Sequence, residues 1–253
     1  MKLKLFHYIL LLVLVFTFQA CSVNKDTLQS VAQTDSASQI VEFKNETLDL
    51  LVKYKKKLDI RNPNSFNRGL AKNIYFQINT NQNYINIIQN KVKLKTSQEY
   101  LHYAFSKDEV KNRNDFLIIG LYKLIYNAYN LKEEHHFTSL QYNKSEMLKL
   151  YQYLQVIRWK IRTSKDNKNQ YLFNTWQNNW QLELMKKDDS NLNIIKDLKY
   201  IKSKKESIYD SSNFSFENII SEILVNIKHT LKEINVEPYD MSISAIKSFV
   251  FII

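Results

Sequence analysis

Two glycines and two prolines in 253 residues are the tightest constraint on what this chain can become. Glycine reaches positive φ without steric cost and proline pre-sets φ, so tight turns draw on both. A sandwich or barrel needs turn residues about every ten positions. This chain has only Gly69, Gly120, Pro63 and Pro238 to offer. Glycine-rich phosphate-cradling loops are disfavoured on the same ground. What fits is an all-α fold, a multi-helix bundle of long helices joined by few turns. The 44% hydrophobic content is enough to build its core.

The apolar spacing supports this. Phe43, Leu48, Leu51, Tyr54 and Leu58 form one helical stripe, broken at Arg61-Asn62-Pro63-Asn64. Leu70, Ile74, Tyr75 and Ile78 suggest a second helix, and Ser97 to Phe105 a third, capped by Thr96 or Ser97. Between them, Val92-Lys93-Leu94-Lys95 alternates and Gln89-Asn90 can turn, so residues 84–95 can form one small β-hairpin. Asp115 to Tyr129 is apolar almost all round, the mark of a buried central helix, with Asn114 placed to cap it. Gly120 in its middle costs about 1 kcal/mol relative to alanine, which a close helix crossing would explain. Further stripes run through 145–163 and 214–234, a basic helix is expected over 190–206, and a terminal helix over 241–253. The helical domain is read as residues 40–253, preceded by a polar tether over 21–39.

The first twenty residues have a different character. Met1-Lys2-Leu3-Lys4 is a short basic start, Leu5 to Phe18 is an apolar run, and Ala20 precedes Cys21. This is the layout of a secretory signal peptide over residues 1–20. The segment Phe18-Gln19-Ala20-Cys21 resembles the lipobox of bacterial lipoproteins, with Ala20 and Cys21 carrying the match. The resemblance covers residues 1–21. It implies cleavage before Cys21, diacylglycerol on its sulfur and an acyl chain such as palmitate on the new amino group. Ser22 after the cysteine then favours the outer membrane in a host with two membranes. Cys21 is the chain's single cysteine, so no internal disulfide competes for it. The implied partner is a membrane, reached through lipid on Cys21, and the implied location is the bacterial cell envelope.

The formal charge of +11 does not name a partner. Only five of 36 basic residues are arginine, and the dominance of Lys, Asn, Ile, Tyr and Phe follows AT-rich codon usage. No helix-turn-helix, RRM or zinc signature points to nucleic acid. No cofactor motif is present. Glu133-Glu134-His135-His136 lacks the i, i+4 spacing that zinc ligands on a helix need, so no metal is expected.

Arg158, Trp159, Arg162, Trp176 and Trp180 form the most distinctive cluster and the expected binding face. Tryptophan and arginine dominate interaction hot spots, while aromatic stripes at helical spacing are also common in cores. No nucleophile motif is present. The leading expectation is a non-enzymatic protein that binds an envelope protein or polymer. The alternative is a peptidoglycan- or glycan-cleaving hydrolase using Glu183, near the tryptophans, or Asp115. Adhesion to an anionic polymer through the lysine-rich 190–206 segment is a third reading.

Overall fold

The run without glycine or proline that ends at Pro63 forms α1 (Lys25–Arg61) in this computed structural model. The structure describes residues 25–133, 138–175, 179–187, 192–205, 207, 215–241 and 246. Helix α1 starts inside the segment expected to be tether. Nothing in its sequence breaks the helix, and Ala37 is already buried. Next come α2 (Arg68–Asn79), the hairpin strands β1 (Ile88–Gln89) and β2 (Val92–Lys93), α3 (Ser97–Ala104) and α4 (Arg113–Ala128). A 3-10 turn at Ser139–Gln141 leads to α5 (Lys144–Thr163) and α6 (Asn179–Lys186). A 3-10 segment at Leu192–Asp197, a single turn α7 (Lys199–Lys202) and the long α8 (Ser215–Glu233) complete the order. The all-α bundle with one small hairpin is therefore the observed fold.

The hairpin turns on Asn90 and Lys91, both at positive φ (50° and 66°). This is the left-handed pair that a two-residue hairpin requires. Helix α3 is capped by Thr96, which closes a capping box with Glu99. The amides of Lys95 and Thr96 donate to the Glu99 carboxylate and hold it below the usual glutamate range. The expected basic helix over 190–206 is instead a 3-10 segment and one α-helical turn. Of the described apolar side chains there, Leu198 alone is buried, too little anchorage to extend one continuous helix.

Helix α4 is the buried centre. Every residue from Arg113 to Ile125 is buried. Gly120 sits where α4 crosses α3, and a Cβ there would come within 2.8 Å of the Leu101 side chain and 3.3 Å of the Ser97 carbonyl oxygen. Asn114 does not cap α4, which begins one residue earlier. Its amide instead donates to the Leu58 and Asn62 carbonyls and to the Asp59 carboxylate.

That network belongs to an ionic hub. Lys55 on α1, with no exposed surface, donates to Asp59 at 2.7 Å and to Asp115 on α4 at 2.9 Å. The second oxygen of Asp115 accepts the Asn67 amide at 2.7 Å, just before α2. The Phe66 and Tyr75 rings lie 5.5 and 5.6 Å from the ammonium. Burial pushes the Asp115 carboxyl up, and the Lys55 ammonium and Asn67 amide pull against that rise. Burial and the two carboxylates push the Tyr75 phenol up to about 12. The hub thus joins α1, the turn after it and α4 at one buried point.

Helix α8 packs between α1 and α5, while α4 lies against both of those helices. It runs antiparallel to α1, with His229 stacked on Phe43 at 5.4 Å and Phe216 edge-on to Tyr54 at 5.3 Å. Tyr129 at the end of α4 hydrogen-bonds Thr230 of α8 at 3.0 Å. The stripe expected over 214–234 packs inward through Ile220, Ile223, Ile227, Leu231 and Ile234, while Ser221, Glu222 and Val225 face outward. The expected terminal helix over 241–253 lies outside the described residues apart from Met241 and Ile246.

Removing the hub cation should leave two buried carboxylates unpaired. Lys55→Met is expected to cost about 3–5 kcal/mol in denaturant unfolding, and adding Asp59→Asn and Asp115→Asn should recover much of that loss. An unchanged midpoint in Lys55→Met would show that the hub does not support the fold. At the helix crossing, Gly120→Ala should lower stability by about 1 kcal/mol net, because overpacking outweighs the gain in helix propensity. A raised melting temperature would contradict the close contact.

Candidate functional site

A groove of about 800 Å³ runs between α5 and α8. Helix α5 starts cleanly because the Asn143 side chain accepts the Ser145 and Glu146 amides. Its apolar stripe Met147, Leu150, Leu154, Ile157 and Ile161 is buried, which turns the Arg158, Trp159 and Arg162 positions toward the rim. From α8 come Ser221, Leu224, Val225 and Lys228, and from the segment after it Asp240, Met241 and Ile246.

The groove's charges are arranged in short relays. Glu217 at the start of α8 accepts from the Arg158 Nε and lies 3.7 Å from an Arg162 nitrogen. At the other end, the Tyr151 hydroxyl donates to Asp240, whose second oxygen lies 3.8 Å from the Lys228 Nζ. Burial, with Asp240 beside it, raises the Tyr151 phenol above its ordinary range. The Met241 amide donates to Gln155 at 2.7 Å, and Gln152 bonds the Tyr239 hydroxyl. The Arg162 side chain remains 54% exposed. The exposed ion pairs contribute little stability, so these side chains can exchange partners at small cost.

Of the five residues expected to form a binding face, Arg158, Trp159 and Arg162 come together in this groove. Trp180 does not join them: it is half-buried on α6, a helix that packs against α7. Trp176 lies outside the described residues. Lys228, Asp240 and Val225 complete the groove, and no motif marked them. The outward placement of Val225 and Lys228 on α8 was the available signal, while nothing marked Asp240 in the segment after it, and the pairing of α8 with α5 was not written in either stripe. The other arginine near these helices, Arg113, is buried and donates to the Ala104, Ser106 and Asp108 carbonyls at 2.7–2.8 Å. It closes the C-terminal end of α3, and burial lowers its pKa.

The two candidate carboxylates are engaged elsewhere. Asp115 has no exposed surface and is held by Lys55. Glu183 accepts the Lys199 amide with both oxygens, at 2.9 and 3.1 Å, and so caps α7. Among the described residues no group of three or more His, Cys, Asp and Glu side chains is placed to hold a metal ion. Glu134, His135 and His136 lie outside them.

A second, smaller groove of about 460 Å³ flanks the other side of α8, against α1. It is lined by Glu46, Asp49, Leu50 and Lys53 from α1, and by Ser221, Glu222, Val225 and Asn226 from α8. Ser221 and Val225 line both grooves and form the ridge between them. No family model matches the chain, and no curated protein or solved structure matches it either.

Proposed function

We propose that this chain is a lipid-anchored protein of the bacterial cell envelope, held by diacylglycerol on Cys21, and that its helical domain is a non-enzymatic binding module. The observation carrying the binding role is the convergence of Arg158, Trp159 and Arg162 on the α5–α8 groove. The lining mixes guanidinium, indole and phenol groups with Leu224 and the half-exposed Val225. This is the chemistry of protein interfaces, where an apolar centre carries the burial and arginines at the rim select the partner. With Arg158, Arg162 and Lys228 against Asp240 and the adjoining Glu217, the groove keeps a small basic excess and favours an acidic surface. The hydrolase reading draws no support from Asp115 or Glu183, since one is buried in an ion pair and the other caps a helix.

The anchor rests on the apolar leader and the single cysteine that ends it. No helix among the described residues is long and apolar enough to cross a membrane. Lipid on Cys21 would join the chain four residues before α1 begins. Two or more acyl chains are needed for stable attachment, and diacylglycerol supplies two. Ser22 makes the outer membrane the favoured site in a host with two membranes.

Metabolic labelling with a clickable palmitate analogue should mark the wild-type chain and leave Cys21→Ala unmarked. Label retained by the variant would refute the anchor. For the groove, a photoreactive amino acid at Thr163, exposed on its rim, should capture a protein in intact cells. The same group at Ile60, 76% exposed and not among the groove's lining residues, should not. Arg158→Glu with Arg162→Glu should abolish capture from position 163 without moving the melting temperature. Equal yields from positions 163 and 60 would remove the groove as the binding face.

A further inference from the structure

We infer that the protein surface received by the α5–α8 groove is a second copy of this chain, packed face to face along α8 in a parallel, two-fold dimer. This rests on the groove being the binding face and names its partner.

The exposed side of α8 is a ridge with opposite charge on its two flanks. The α5 side is lined by three cations, Arg158, Arg162 and Lys228, and one carboxylate, Asp240, with Glu217 at its edge bound to the two arginines. The α1 side is lined by three carboxylates, Glu46, Asp49 and Glu222, and one lysine, Lys53. A two-fold axis parallel to α8 and passing along the ridge lays each basic flank on the other copy's acidic flank. An axis across α8 would lay like charge on like. The surface is therefore self-complementary for one symmetry, and a two-fold interface must be self-complementary.

Rotation about that axis preserves height along it, so residues at the same level meet. The antiparallel register of α1 and α8, with Phe43 on His229 and Tyr54 on Phe216, sets those levels. It places Glu46 within about one helical turn of the level of Lys228, inside the reach of the two long side chains, and Lys53 near the level of Glu217. Glu46 of one copy then faces Lys228 of the other, and Lys53 faces the Glu217 that holds Arg158 and Arg162. The middle of the ridge, Ser221 and Val225, is small and lets the two α8 helices approach closely there. Val225, 49% exposed, lies on the axis and meets its own counterpart. Helix α8 is about 28 Å long at 1.5 Å per residue. A strip of that length and about 20 Å wide, two helix spacings, offers about 560 Å² per copy, so about 1,100 Å² in total, at the low end of specific interfaces.

The same symmetry suits the anchor. Because α1 is antiparallel to α8, its N-terminal end runs about 20 Å past the C-terminal end of α8. In the parallel dimer both α1 N-termini leave from one end, toward one membrane. The crossed arrangement would send them to opposite ends.

The test uses the full-length chain in intact cells, with Val225→Cys and mild oxidation. A disulfide-linked dimer is expected, and none from Ile60→Cys. Adding Lys228→Glu or Glu46→Lys should each reduce the dimer about tenfold, through like charges placed twice across the axis. Carrying both reversals in one chain, or co-expressing the two single variants with different tags, should restore it. The restored dimer also shows that the variants fold. A Val225 dimer indifferent to these reversals would overturn the arrangement. If position 225 yields no dimer while position 163 still captures a different protein, the second copy is not the partner and the groove reading stands. If neither position yields a product, both fail.

Discussion

The Lys55 ammonium is the buried charge around which the helices are arranged. It lies between two carboxylates, one a turn away on its own helix and one 60 residues later at the start of α4. A buried ion pair gains little net stability over an apolar one, but breaking it is costly, so it restricts which packings are tolerable. Asp115 can meet Lys55 only if α4 begins beside the end of α1. Asn114 extends the restriction by donating to Leu58, Asp59 and Asn62. Asn62 in turn accepts the Asn174 amide at 3.1 Å. That bond ties in the segment after α5, where Phe173 is fully buried against Phe105. One polar cluster thereby orients α1, α2, α4 and the exit from α5.

With α1 and α5 held against α4, a trough remains between them, and α8 fills it. Its apolar stripe buries Ile220, Ile223, Ile227 and Leu231. Because one helix closes the layer, its outer face becomes a ridge with a groove on either side. The grooves inherit their charge from different helices: arginines of α5 on one flank, carboxylates of α1 on the other. The binding surface is thus a by-product of how the core closes. Neither flank would exist without the neighbour that α8 brings beside it.

Much of the fold was legible because hydrophobic period reports which face of a helix turns inward. The stripes over 145–163 and 214–234 correspond to α5 and α8, and the all-round apolarity of 115–129 corresponds to the buried α4. Gly120 pointed to a close crossing, and Leu101 supplies it. Where local pattern and structure diverge, the cause is shared. Asp115 was a catalytic candidate because its neighbours in sequence are aromatic, whereas its environment is set by Lys55, far away along the chain. Asn114 read as a cap because local spacing allows it, but distant carbonyls claim its amide. The 190–206 segment had helical spacing without a core to bury it. Of the tryptophans, Trp159 reaches the groove because α5 presents it there, while Trp180 sits with α6 and α7.

Composition and period were enough to settle fold class, since scarce glycine and proline leave helices as the economical structure, and each helix encodes its own buried stripe. The leader and Cys21 are likewise a local pattern, readable without any fold. Neighbour identity is not local. That α8 lies between α1 and α5, that Lys55 meets Asp115, and that arginines and carboxylates flank one ridge all follow from which stripes share a core. Many pairings of similar apolar stripes would bury similar area. The choice among them falls to the few polar groups that must find partners once water is excluded.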